Sequence, residues 1–223
     1  MVQRLHEQVD IAVPSPTRKD SVQTPFTNNS QSMNDFSTSR ELIERTIELS
    51  RCYAIWWELL NRSNFTRYEQ VIQNHEDYFA ATTHALFQSI AVISYQLFER
   101  RPDTQSIRSA IDAMKCSHPD LTNALTAEID SATPLLAKLF ALRNKVYAHR
   151  SKLKSPAETF AEIGLTPDEI NTAVLFVRSV VSSLAHASGG ITRAELDEEF
   201  ELRIKYSRED AQLIMRALEK HAP

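Results

Sequence analysis

The chain has 223 residues, 42% of them hydrophobic and 24% charged, with a formal net charge of −4. That is enough apolar matter for one domain with a real core, and the mild acidity argues against indiscriminate coating of nucleic acid while leaving room for a local basic patch. Three glycines are too few for a glycine-rich phosphate loop, a Rossmann turn or a turn-dense β fold, so the composition points to an all-α protein. Cys52 and Cys116 are too few for a zinc site or a disulfide framework. The sequence shows no charged-then-apolar leader and no run of about 18 apolar residues, so a cytoplasmic protein without membrane association is expected.

Residues 1–36 contain PSP, TPF and NNSQS without a sustained apolar period. They read as a mostly disordered arm, in which Leu5–Val13 is the stretch able to dock locally. Thr38 and Glu41 form a Thr-x-x-Glu capping box, which predicts a helix over about 39–61 with Leu42, Leu49, Tyr53, Trp56 and Leu60 on one side. Trp56 and Trp57 suit a ligand platform, but paired aromatics at helical spacing are read as core. Asn61–Thr66 is a polar break. The next helix is expected over about 67–100, either straight or bent, with Phe79, Thr83, Leu86, Ile90, Ile93 and Leu97 on one stripe and Phe87, Ala91, Ser94 and Phe98 on a second. Pro102 ends it.

Ile107, Ile111 and Met114 predict a helix over about 104–115, followed by a turn at Cys116–Pro119 and a helix through about Ser131. Thr133-Pro134 reads either as a cap with a first-turn proline or as a kink in a continuous helix. Leu135–Lys154 follows, with Leu135, Leu139, Leu142 and Val146 on one stripe and Leu136, Phe140, Arg143 and Tyr147 on the next. From Lys138 to Lys154 there are six basic residues and no acid. A loop with a short helical turn leads to Thr166-Pro167-Asp168-Glu169, a strong helix start, and Ile170, Val174, Val177, Val181 and Leu184 continue to Gly189-Gly190. In the tail, Thr192 and Glu195 repeat the capping box, Phe200–Tyr206 alternates as an extended segment would, and Ser207–His221 predicts a terminal helix. The expected organisation is an arm at 1–36, an up-and-down bundle of four to five long helices at 37–190, and a C-terminal helical extension at 191–223.

Metal chemistry finds no support in the spacing: Glu-x-x-His, His-Glu-x-x-His and Cys-x-x-Cys are absent, and His75-Glu76-Asp77 would point three ways on a helix. A nucleophile elbow and a P-loop are also absent. What remains is Arg143 to His149. The bland account is an arginine snorkelling from a core helix and a histidine favoured by the helix dipole. Against it, Arg143 shares a row with Leu136, Phe140 and Tyr147, where a charge needs a reason, and His149 follows Lys138, Leu142 and Lys145 on an adjacent row, which gives it cationic neighbours. Arginine and histidine in wholly positive surroundings suit a phosphate.

Arg143–His149 resembles the arginine-x(4–6)-histidine signature of HEPN domains, with Asn144 as the polar residue that follows the arginine. The context is similar to AbiU-type (abortive-infection) HEPN proteins: a first helix bearing tryptophans, Leu-Arg-Asn-Lys-Val-Tyr-Ala-His-Arg before a loop, and Leu-Thr-Pro-Asp-Glu-Ile opening the next helix. The resemblance covers about 38–188. It implies a bundle that dimerises about the motif helix and, in active members, metal-independent cleavage of RNA in phage defence or a toxin–antitoxin pair, with no cofactor. On that reading Arg143, Asn144 and His149 are catalytic, Lys145 and Arg150 bind flanking phosphates, and Lys152 and Lys154 extend the RNA track. Six residues rotate a helix by about 240°, leaving Arg143 and His149 about 120° apart, so one helix cannot aim both at one atom and a homodimer is required. The implied partners are RNA, a second copy, and an antitoxin or defence-operon protein. Toxins of the family silenced by nucleotidylation carry a tyrosine two residues after the histidine; here Ser151 stands there, which does not support a nucleotidyltransferase antitoxin. The rivals are a HEPN-type module that holds RNA or protein without cutting, and a helical regulator with no nucleic-acid contact.

Overall fold

Glycine and proline are absent from Ser30 to Leu60, and nothing there stops a helix once it has begun. In the computed structural model, which describes residues 30–99, 101, 104–148, 161–189 and 191–220 and the side chains from 39 on except those of 145–148, helix α1 spans Ser30–Leu60. It runs straight through the Thr38 capping sequence instead of starting at it. Leu42, Leu49, Tyr53 and Trp56 are buried, as the period predicts, whereas Leu60 is exposed and Leu59 takes the inward position. Buried Thr46 and Ser50 donate to the carbonyls of Leu42 and Thr46 at 2.7 Å, so these small polar groups enter the core already satisfied.

The helix expected over 67–100, straight or bent, is divided into α3 (Glu69–Asn74) and α4 (Glu76–Phe98), and a further short helix, α2 (Arg62–Arg67), precedes them. The Asn61 side chain accepts the Asn64 N–H at 3.0 Å and starts α2 inside the stretch read as a break. Tyr68 and His75 interrupt the ladder with non-helical backbones. Tyr68, Val71 and Phe79 join one apolar cluster with Leu59 and Met215.

Helix α5 (Ile107–Met114) is opened by Ser106 and Ser109, which cap each other's N–H groups; a serine in the place of the usual Glu or Gln hides this box from a sequence pattern. Between α6 (Pro119–Ser131) and α7 (Thr133–Ala148), the Leu136 N–H reaches the Ala132 carbonyl at 3.0 Å and the Thr133 hydroxyl donates back to Ile129. Thr133 is therefore not a cap, and the chain kinks at Ala132. Residues 161–163 form the helical turn expected in the loop, closed by Gly164 at φ +64°.

Helix α8 (Pro167–Ala187) starts at the Thr166–Glu169 box and buries Ile170, Val174, Val177, Val181 and Leu184. It is long and apolar enough to cross a membrane by composition, but 61% of that window is buried inside the bundle, as for a core helix. Gly189 at φ +76° ends it in the left-handed conformation that favours glycine. Helix α9 (Arg193–Lys220) corrects the extended reading of 200–206. Phe200, Ser207, Ala211 and Met215 lie on one helical face and are buried together, which an alternating strand would forbid.

Among the described residues the architecture is all-helical. α1 lies between α4, α8 and α9, and α7 packs on α4 with α6 and α8 beside it. Polar ties fasten α9: Arg178, nearly buried on α8, pairs with Glu201 at 2.7 Å and lies over the Phe200 ring, while buried Glu58 of α1 accepts from Gln212 at 2.5 Å and Asn64 at 2.6 Å. Phe200→Ala is expected to destabilise the protein by about 3–5 kcal/mol, whereas Leu175→Ala, on the open face of α8, shifts it by less than about 0.5 kcal/mol. Urea unfolding followed by far-UV circular dichroism measures both.

Candidate functional site

The edge of α7 that faces the core is Leu136, Leu139 and Leu142, all buried, with Leu135 and Phe140 half-buried beside them. The inward direction lies between the two stripes the sequence shows. Arg143 and Lys138, five residues apart, are about 140° apart around the axis, Arg143 between Leu136 and Leu139 and Lys138 just beyond Leu142. They leave the core in different directions, Arg143 towards α4 and Lys138 towards α8.

The Arg143 guanidinium carbon sits 4.5 Å from the centre of the Tyr95 ring, and Nη1 donates to Asn144 Oδ1 at 3.1 Å. A planar cation over an aromatic face is stabilised by the ring quadrupole. Tyr95 is itself held edge-on by Phe140 at 5.6 Å. Phe140 meets Phe98, which stacks on Phe176 at 6.3 Å, so a line of rings joins α4, α7 and α8 beneath the arginine. Arg143 and Asn144, neighbours in the sequence, are thus joined by a side-chain hydrogen bond. Tyr95 is the member that sequence reasoning missed. It lies one helical turn before Phe98 on α4, but nothing in the sequence connects it to position 143.

Of the other residues singled out, Lys145 is on α7, and its side chain lies outside the described residues. His149, Arg150, Lys152 and Lys154 also lie outside them. α7 ends at Ala148, next to the histidine in sequence.

The wholly positive reading of the segment needs one correction. Lys138 donates to Glu169 Oε1 at 2.5 Å and to the Gly164 carbonyl at 2.7 Å, so an acid from α8 balances it. Glu169 uses its other oxygen to accept the Thr166 N–H at 2.9 Å. The Lys138 hydrogen bond, and then that capping bond, hold the Glu169 carboxyl below its usual range.

Other chemistry is thinly supplied. Burial, reinforced by Glu48, pushes the Cys52 thiol up to about 11, which disfavours the thiolate a nucleophile needs. No three His, Cys, Asp or Glu side chains gather as a metal site among the described residues. An open groove of about 360 Å³ between α1 and α4 has Glu48 as its one titratable lining group, with Gln88, Ser89 and Gln96 beside it.

A family model of the HEPN group, described as AbiU2, matches residues 34–207, more than half of the chain. That span contains α2 to α8, most of α1 and the first half of α9. No curated protein and no solved structure matches.

The lowered pKa of Glu169 has a signed consequence. Its contribution to stability is complete above the ordinary carboxylate range and is lost as pH falls through the lowered value. Glu169→Gln keeps an acceptor for the Thr166 N–H and removes the charge. Urea titrations are expected to find the variant less stable at neutral pH, with the gap to wild type closing in acid. A gap of constant size would rule out the Lys138 pair as its source.

Proposed function

The chain belongs to the AbiU2 family of HEPN domains, whose name marks an abortive-infection protein, and from that premise we propose that it is a metal-independent endoribonuclease completed by two-fold pairing of α7. The observation that carries the reading is Arg143 on its Tyr95 platform with Asn144 beside it, near the end of the motif helix. A guanidinium held over an aromatic ring is pre-positioned and permanently charged, so it can meet a phosphate without the cost of ordering a free side chain.

The reaction such a site serves needs no water or metal in its first step. The ribose 2′-oxygen attacks the adjacent phosphorus as a base removes its proton, the bond to the 5′-oxygen breaks, and an acid returns a proton to that leaving oxygen. The products are a 2′,3′-cyclic phosphate and a free 5′-hydroxyl. His149 is the group with a pKa suited to proton transfer, a role worth about 10²–10⁴-fold. Arg143 meets the charge that grows on the phosphorane oxygens. Asn144 bonds the phosphate or orients the histidine, Lys145 and Arg150 hold flanking phosphates, and Lys152 and Lys154 lengthen the track. Cutting RNA in the cytoplasm of an infected or poisoned cell suits phage defence or a toxin–antitoxin pair.

Pairing is required because Arg143 and the end of its own helix do not face one point, so the histidine comes from the second copy. The test mixes two dead variants. Arg143→Ala and His149→Ala are each expected to lose cleavage of labelled RNA in EDTA. Mixed and allowed to exchange, they are expected to recover about a quarter of wild-type activity, since half the dimers are mixed and each has one intact site. No recovery would show that the two groups act within one chain. RNA retained but uncut by wild type would favour the binding-module reading instead.

A further inference from the structure

The outer face of α9 carries a second apolar row, unrelated to the face that docks it. Leu202, Tyr206 and Leu213 are 40%, 52% and 58% exposed. At about 100° per residue they fall within about 40° of one another, on the side of the helix away from Phe200, Ser207, Ala211 and Met215. The outward face of a bundle helix is ordinarily polar, and three large apolar groups in line mark a surface that is covered in use.

Charge along this row identifies the cover. Glu195 and Glu199 lie at its N-terminal end, Arg216 and Lys220 at its C-terminal end, and Glu209 between Tyr206 and Leu213. Consider two copies of α9 laid antiparallel, with the two-fold axis between Ser207 and Arg208. Leu202 of one then meets Leu213 of the second, Glu199 meets Arg216, Glu195 meets Lys220, and the Tyr206 hydroxyl meets the Glu209 carboxylate. One register makes all four matches, because the members of each pair are equally distant from the axis. A row that is its own complement is the mark of an isologous contact, and a different protein would have no need of that symmetry.

We propose that α9 pairs antiparallel with α9 of a second copy of this chain. The local bonds these charges make do not oppose it: Arg203 donates to Glu199 at 2.6 Å, Arg216 to Gln212 at 3.3 Å, Lys205 stands 3.9 Å from Glu209, and Glu195 accepts from Thr192 through Oε2, all on the exposed surface, where such contacts contribute little. The pairing does not rest on the nuclease reading. α9 packs on α1, α3 and α8, while α7 packs on α4, α6 and α8. A chain that pairs through both helices about two different two-fold axes assembles at least to a tetramer.

The experiment weighs the full chain by sedimentation at one concentration, as wild type and as Leu202→Asp/Leu213→Asp, with circular dichroism to check the helices. The substitution is expected to reduce the mass by half or more, from tetramer to dimer if α7 also pairs and from dimer to monomer if it does not. An unchanged mass, including a wild type already monomeric, overturns the proposal. Charge exchange tests the register without touching the apolar row. Glu199→Arg and Arg216→Glu are each expected to weaken association about tenfold, and together to restore it to within about threefold of wild type. A double variant as weak as the singles overturns the antiparallel register.

Discussion

Two-sided burial of α1 is the constraint on which the rest of the bundle depends. Leu42, Leu49, Tyr53 and Trp56 share the main core with Phe87, Ile90 and Leu97 of α4 and with Val174, Val177 and Val181 of α8, while Leu59 belongs to a second cluster with Met215 of α9. A helix surrounded in this way leaves its neighbours little choice of position. Buried Thr46 and Ser50 show the same pressure, because their hydroxyls are turned onto their own helix and ask nothing of the packing around them.

Through α4 this frame reaches the site. α7 has a narrow apolar edge, Leu136, Leu139 and Leu142, and only one rotation about its axis buries all three. With that rotation set, Arg143 comes out against Tyr95 and Lys138 against Glu169. The two cations then differ in kind. Lys138 is held by a carboxylate and a carbonyl. Arg143 lies over the Tyr95 ring and donates to the Asn144 amide oxygen.

The C-terminal helix shows how far local patterns mislead near the surface. Phe200–Tyr206 alternates as a strand would, yet the alternation arises because α9 has apolar residues on opposite sides, Phe200 inward and Leu202 and Tyr206 outward. A helix with one apolar face would not have produced that ambiguity. The match to the family model runs to residue 207, into this helix and past the end of α8.

The sequence alone determined the helical class, the buried faces of α4, α5 and α8, and the boxes at Thr166 and Thr192, because each follows from spacing within a few turns or from a short motif. It even located the kink before α7, though it left open whether Thr133 capped a helix or bent one. Tertiary structure decided the rest. Tyr68, Val71 and Phe79 share a cluster whose other members, Leu59 and Met215, come from α1 and α9. The Tyr95 platform and the Glu169 partner of Lys138 lie 48 and 31 positions from the side chains they serve. Periodicity shows which side of a helix is apolar, but it has no means of saying which other helix arrives there.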